Sequence, residues 1–263
     1  MVYFLQIKYV GVIMFNTKTL ILAAALLFSG CQKFDDRYKV PFDVNYSDFN
    51  TSLGDDFNKS KLDRTQSKYI NKEKCDQIID KKYFTICYSY DFKAAKSVTY
   101  TLDGDLVNQG NIEDRPDFYP EEALPYEYRA RKIDYYHSGY DRGHLAPDAA
   151  FDWSEDSLEA TYSLANIIPQ DSNVNQHQWV RAEEHARKEA VALGEIKVIN
   201  LVVYPDNPKR IGEDKIAVSK GFYKIMYNIA KNYKECFYYE NNASMNKNNL
   251  YGNQVSCKEL VNF

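Results

Sequence analysis

From Lys82 to Tyr90 and again from Lys96 to Leu102, β-branched and aromatic residues alternate with polar ones or cluster among them. A period of two predicts strands. Asp103-Gly104 then reads as a hairpin turn into a short strand at Asp105 to Val107. Asp114 to Pro120 holds too much proline for regular structure, and Ile133 to Tyr140 leads into a short polar strand. Asp152 to Glu155 has the spacing of a capping box that would open a helix reaching about Ala165. The clearest helical stretch is Asn175 to Leu193, with Gly194 as its stop. Asn175, Trp179 and Glu183 are four apart, so they fall along one face of it. Lys197 to Tyr204, Phe222 to Ile229 and Lys234 to Tyr239 read as further strands, and the Asn-rich 241–249 as a loop. Strands, an inserted helix and strands again predict an α+β domain with an antiparallel sheet core and flanking helices.

The ends change the domain picture. Lys18 precedes an apolar run from Leu20 to Phe28 that closes on Ser29-Gly30-Cys31. That run is short for a membrane-spanning helix. Small residues before a cysteine predict a lipoprotein-type signal over 1–31, with Cys31 the acylated residue; an ordinary cleaved signal or a short anchor helix are the other readings. Residues 32–65 are polar and read as a tether, leaving 66–263 as one large domain. The chain is thus expected to be exported to the cell envelope or periplasm and bound to a membrane through Cys31. Beyond Cys31 the cysteines are Cys75, Cys87, Cys236 and Cys257. Exported chains keep disulfides. The local pairings are 75 with 87 and 236 with 257, and the other two connectivities stay open. The net charge of −4 argues against a generally basic nucleic-acid binder and leaves only a local cationic cleft.

The candidate chemistry sits in Asp141-Arg142-Gly143-His144, in Asn166-Ile167-Ile168-Pro169-Gln170, in Asn175-Gln176 and in Trp179 to Glu183. Singly these have plain readings: a structural histidine, a local ion pair, a Gly143 chosen for positive φ, and an asparagine opening a helix. Together and in this order they resemble the DNA/RNA non-specific endonuclease family of the ββα-metal superfamily. The resemblance implies that the sheet carries an inserted ββα-metal motif and that the activity is hydrolysis of DNA and RNA to 5′-phosphate products.

It also implies roles. His144 would be the general base, and Asn166 is a candidate to orient its second nitrogen. Asn175 would be the direct ligand of Mg2+, with Mn2+ the alternative, and Glu183 would hold metal-bound water, against a reading as a solvated helix charge. Arg115 matches the arginine that stabilises the transition state, with Arg129 and Arg131 as competitors. Arg142 would support the substrate phosphate or brace the motif. Asp141 reads as structural, Gln170 as a framework hydrogen bonder and Trp179 as core. The expected partners are DNA and RNA, held through the phosphate backbone without base reading. Homodimers occur in the family, and no segment here specifies one. A non-catalytic envelope lipoprotein that binds nucleic acid or a partner protein, and a phosphodiesterase for small nucleotides, are the competing readings.

Overall fold

The computed structural model describes residues 62–110 and 112–261. The expected signal, Cys31 and nearly all of the expected tether lie outside them. Helix α1 (Arg64–Tyr69) opens the described chain. Asp63 caps it in a capping box with Gln66, and the same carboxylate takes a 3.0 Å ion pair from Lys197 Nζ. Ordered structure therefore starts ahead of residue 66.

Strands β1 (Gln77–Asp80), β2 (Phe84–Ser89) and β3 (Ala94–Asp103) follow. After β3 the expected hairpin is absent. Asp103 Oδ1 accepts from the backbone N–H groups of Asp105 and Leu106, so Gly104–Val107 is a one-turn helix, α2. A side chain that caps overrides the turn propensity of Asp-Gly here. At Gly104 a Cβ would meet the Ala190 carbonyl oxygen at 2.4 Å, so glycine is there for a close approach to a later helix.

Strands β4 (Asp141–His144) and β5 (Ile167–Gln170) form a separate antiparallel pair, with His144 opposite Ile167. Between them lies α3 (Glu155–Thr161), capped by Ser154, with Ser157 closing the capping box, two residues later than the sequence reading put it. Next come a π-helical stretch, Val174–Trp179, and α4 (Val180–Leu193), ended by Gly194 at φ 89°. The long helix is present as expected, but its first turns are π rather than α. Then follow β6 (Glu195–Val203), the short pair β7 (Arg210–Ile211) and β8 (Ile216–Ala217), β9 (Gly221–Asn228) and β10 (Tyr233–Glu240).

The main sheet runs β1-β2-β3-β6-β9-β10, every neighbour antiparallel. Period-two strands bury both faces. Val198 and Met226 are opposite each other and point into the larger core, while the next pair, Ile199 and Ile225, points into the smaller one. The smaller core holds Tyr69 and Ile70 with the sheet, and the disulfides Cys75–Cys87 and Cys236–Cys257 are the two local pairings. On the larger side α4 lays Ala182, Ala186 and Ala190 on the sheet, each buried. A four-residue row of alanines brings the helix close enough to seal that face. The fold is α+β with a mainly antiparallel sheet.

Trp179 is the largest fully buried side chain, edge-on to Phe222 at 4.8 Å and to Tyr239 at 5.7 Å. Trp179→Ala is expected to destabilise the protein by about 3–5 kcal/mol, read from urea unfolding. A loss under 1 kcal/mol would place Trp179 outside the core.

Candidate active site

Alternation along β4 puts Arg142 and His144 on one face of the strand pair and Asp141 and Gly143 on the other. Gly143 has no positive φ, contrary to the sequence reading. A Cβ there would sit 1.9 Å from Gln170 Oε1 across the pair, so glycine makes room for Gln170. Gln170 is not the expected framework hydrogen bonder either: its Oε1 and Nε2 are buried without partners among the described residues.

Asn166 does not reach the His144 ring. Its Oδ1 accepts from Ala146 N at 2.8 Å, and its Nδ2 donates to the carbonyls of Ala146 and Thr161, both at 2.9 Å. It staples the backbone just after His144. The His144 ring packs 5.4 Å from Phe118 and 5.1 Å from Tyr162, and its Nε2 is buried and has no partner among the described residues. Burial lowers its pKa to about 4; nearby Asp148 opposes this, and Arg115 and Arg142 add to it. His144 is therefore neutral at pH 7.

Asp141 joins the strand pair to the helix. Its Oδ2 accepts from Asn175 Nδ2 at 3.1 Å and Gln176 Nε2 at 2.8 Å, and its Oδ1 accepts from the Ser172 hydroxyl at 2.8 Å. Burial pushes the Asp141 carboxyl upward, but these bonds and Arg142 outweigh it and hold it below the usual range. With Nδ2 turned to Asp141, Asn175 keeps its Oδ1 free of protein donors among the described residues.

Glu183 is no solvated helix charge: it is buried, whereas its neighbour Glu184 is partly exposed. Burial raises its pKa, against the charges of Lys224 and Arg187. Lys224 is fully buried, 4.0 Å over the Trp179 ring, and donates to Asn200 Oδ1 at 3.1 Å. Burial lowers its pKa, and Glu183 opposes that. Asn200 in turn donates to the Leu145 carbonyl, next to His144.

Of the three candidate arginines, Arg115 is the one whose charge reaches His144. Arg129 donates to the carbonyls of Leu124 and Glu122, and Arg131 pairs with Asp214 and Glu213. Arg115 lies between Asp148 at 3.3 Å and Asp152 at 3.2 Å. Arg142 stands 4.8 Å over the Phe118 ring and is exposed.

Sequence reasoning missed Asp148, Asp152 and Lys224. Lys224 did leave a signal, since it falls at an inward position between Phe222 and Met226 on a strand that is otherwise apolar there. Asp148 and Asp152 left none beyond following the DRGH strand.

Among the described residues, no three His, Cys, Asp or Glu side chains group as a metal site. The donors do fit an ion held mainly through water: the free Asn175 carbonyl oxygen, and a buried Glu183 carboxyl whose charged form a nearby cation would favour.

A strand pair and the helix after it carry a neutral histidine, an exposed arginine and an amide, and a loop ahead of them supplies the second arginine. The model for the DNA/RNA non-specific endonuclease family matches residues 62–263, and the chain belongs to that family. It is 25% identical to human mitochondrial endonuclease G over 160 residues, 57% of this chain and 54% of that protein. It is 30% identical to a nuclease of Nostoc sp. over 150 residues, 56% and 52% of the two chains. The chain thus matches about half the length of these relatives. The fold is similar to that in the crystal structure of the EndoG/EndoGI complex, with a TM-score of 0.65 and 20% identity, over 76% of this chain and 89% of that one.

The depressed His144 pKa has a consequence for stability. Between pH 6.5 and about 4 the unfolded chain binds a proton at this residue and the folded protein does not, so stability falls as pH falls through that window. Wild type is expected to lose about 3 kcal/mol more than His144→Gln between pH 7 and pH 4, at 1.36 kcal/mol per pKa unit. Urea unfolding of both proteins at the two pH values checks this; equal losses would mean an ordinary histidine pKa.

Proposed function

We propose that the protein is a Mg2+-dependent endonuclease, able to use Mn2+, that hydrolyses DNA and RNA to 5′-phosphate products with His144 as general base. The observation that carries this is the state of His144: neutral by burial, with Nε2 sealed in the interior, and in the field of Arg115 and Arg142. Nδ1, the nitrogen not sealed away, would take the proton of the attacking water. Arg115 would meet the non-bridging phosphate oxygens, where negative charge builds up as the fifth bond to phosphorus forms. Arg142, exposed above Phe118 and on the same strand face as His144, would hold a neighbouring phosphate. Asn175, with its amide fixed by Asp141, would be the direct metal ligand, and Glu183 would order water around the ion. The metal, when bound, stabilises charge on the phosphate and on the leaving 3′ oxygen.

The purified protein should degrade both plasmid DNA and total RNA with Mg2+ and neither with EDTA. His144→Ala should abolish cleavage while leaving folding and weak binding intact. Wild-type cleavage by His144→Ala would sink the base assignment. A folded wild type that cleaves nothing with any divalent metal would favour a non-catalytic, nucleic-acid-binding lipoprotein.

We also propose that the protein is exported and lipid-anchored through Cys31, on the strength of the apolar run and the small residues before it. Cys31→Ala should move it from the membrane to the soluble fraction; unchanged fractionation would reject the anchor.

A further inference from the structure

The Arg115 guanidinium does not hang free in the cleft. Its Nε lies 3.3 Å from Asp148 Oδ2, its Nη1 donates to the Ile112 carbonyl at 2.6 Å, and its Nη2 donates to Asp152 Oδ2 at 3.2 Å. The Asp148 carboxylate and the Asp152 backbone each have a further partner. The Tyr162 hydroxyl donates to Asp148 Oδ2 at 2.9 Å, and Ile112 N donates to the Asp152 carbonyl oxygen at 3.3 Å. The loop that carries Arg115 and the loop that carries Asp152 are therefore laced together in both directions. A guanidinium has five N–H groups. Nη1 and Nη2 each donate one of these, Nε faces Asp148 as an ion pair, and each Nη keeps a second N–H on the fork. Two parallel N–H groups are what a phosphate with two free oxygens accepts.

We propose that Asp148 and Asp152 are positioning residues that lock the Arg115 fork with its two remaining N–H groups presented to the scissile phosphate. This rests on the reading of Arg115 as the arginine that stabilises the transition state. Long side chains lose much rotamer freedom on binding, and a fork held in advance has already lost it. The two carboxylates also offset the arginine charge beside His144: Asp148 acts on His144 in the opposite sense to Arg115. Asp152 carries the cleaner test, because Asp148 also faces His144 and Glu183. Gly110 offers a second handle. A Cβ there would stand 1.9 Å from Asp152 Oδ1, so Gly110→Ala would push the carboxylate aside without removing any charge.

The experiment is a double-mutant cycle in the full-length protein, with kcat and KM measured on one duplex DNA and on one RNA substrate in Mg2+. Thermal unfolding would confirm that each variant is folded. Asp152→Ala is expected to lower kcat about 10- to 100-fold with little change in KM, as for a group misplaced in the transition state. In an Arg115→Ala background the same change should cost nothing further, because there is no fork left to hold. Gly110→Ala should follow Asp152→Ala in direction. Losses that multiply in the double variant would overturn the proposal, since they make Asp152 a general framework residue. So would an Asp152→Ala protein with unchanged kcat and lowered KM, since Asp152 would then merely repel the phosphate. Arg115→Ala at the wild-type rate is a separate failure: it removes the reading of Arg115 itself, and this proposal with it.

Discussion

The Asp141 carboxylate is the bond on which the site depends. His144 sits on a two-stranded pair that is not part of the main sheet, and Asn175 sits on the π-helical lead-in to α4. Asp141 is on the strand and accepts from Ser172, Asn175 and Gln176, all on the helix side. Three donors on two oxygens make it a strong acceptor, and they keep it ionised despite partial burial. The wider π turn fits this arrangement, since it offers Asn175 and Gln176 to the same oxygen from consecutive positions. Without that carboxylate the histidine and the amide would be carried by elements with no side-chain bond between them at this point.

A second constraint runs beneath the first. Glu183 and Lys224 are both buried against Trp179, and each would be costly there without the other. Lys224 passes its hydrogen bond to Asn200, and Asn200 passes one to the Leu145 carbonyl, so the helix side of the site is braced against the residue after His144. The alanine row of α4 sets how near Glu183 can come to the strand that carries Lys224.

Much of this was legible in the sequence where a local pattern and a tertiary contact agree. The strands β2, β3, β6, β9 and β10 were readable because a sheet buried on both faces draws β-branched and aromatic residues into each strand. The helix ending at Gly194 was readable because its stop is local. The failures share a cause. Asp103-Gly104 has the residues of a hairpin turn, yet Asp103 caps α2 and Gly104 is needed for contact with Ala190. Gly143 and Gln170 answer to each other across a strand pair, and Asn166 answers to the backbone at Ala146, none of which spacing reveals. His144, Asn175 and Glu183 were candidates from their motif order, and Arg115 from a looser resemblance that left Arg129 and Arg131 as competitors. Asp148 and Asp152 were not, because an aspartate earns no notice until the arginine it holds is seen beside it.

The charge of the whole chain fits this design. A net charge of −4 is a poor start for binding a polyanion, and near the site Arg115 is paired with Asp148 and Asp152, while the buried Lys224 lies in the field of Glu183. Arg142 stands exposed over an aromatic face. Phosphate affinity grows with the number of unpaired cations that displace counterions. In the proposed nuclease, a site that keeps few of them would bind the backbone weakly and let go of its products, while the paired charges would still act at short range in a partly buried place. Uniform binding lowers KM without raising kcat, and tight binding of every phosphate would hold product as firmly as substrate. On the proposed function, the acidic composition and the cationic chemistry would be two sides of one arrangement, with the positive charge kept for the atoms where it changes between ground state and transition state.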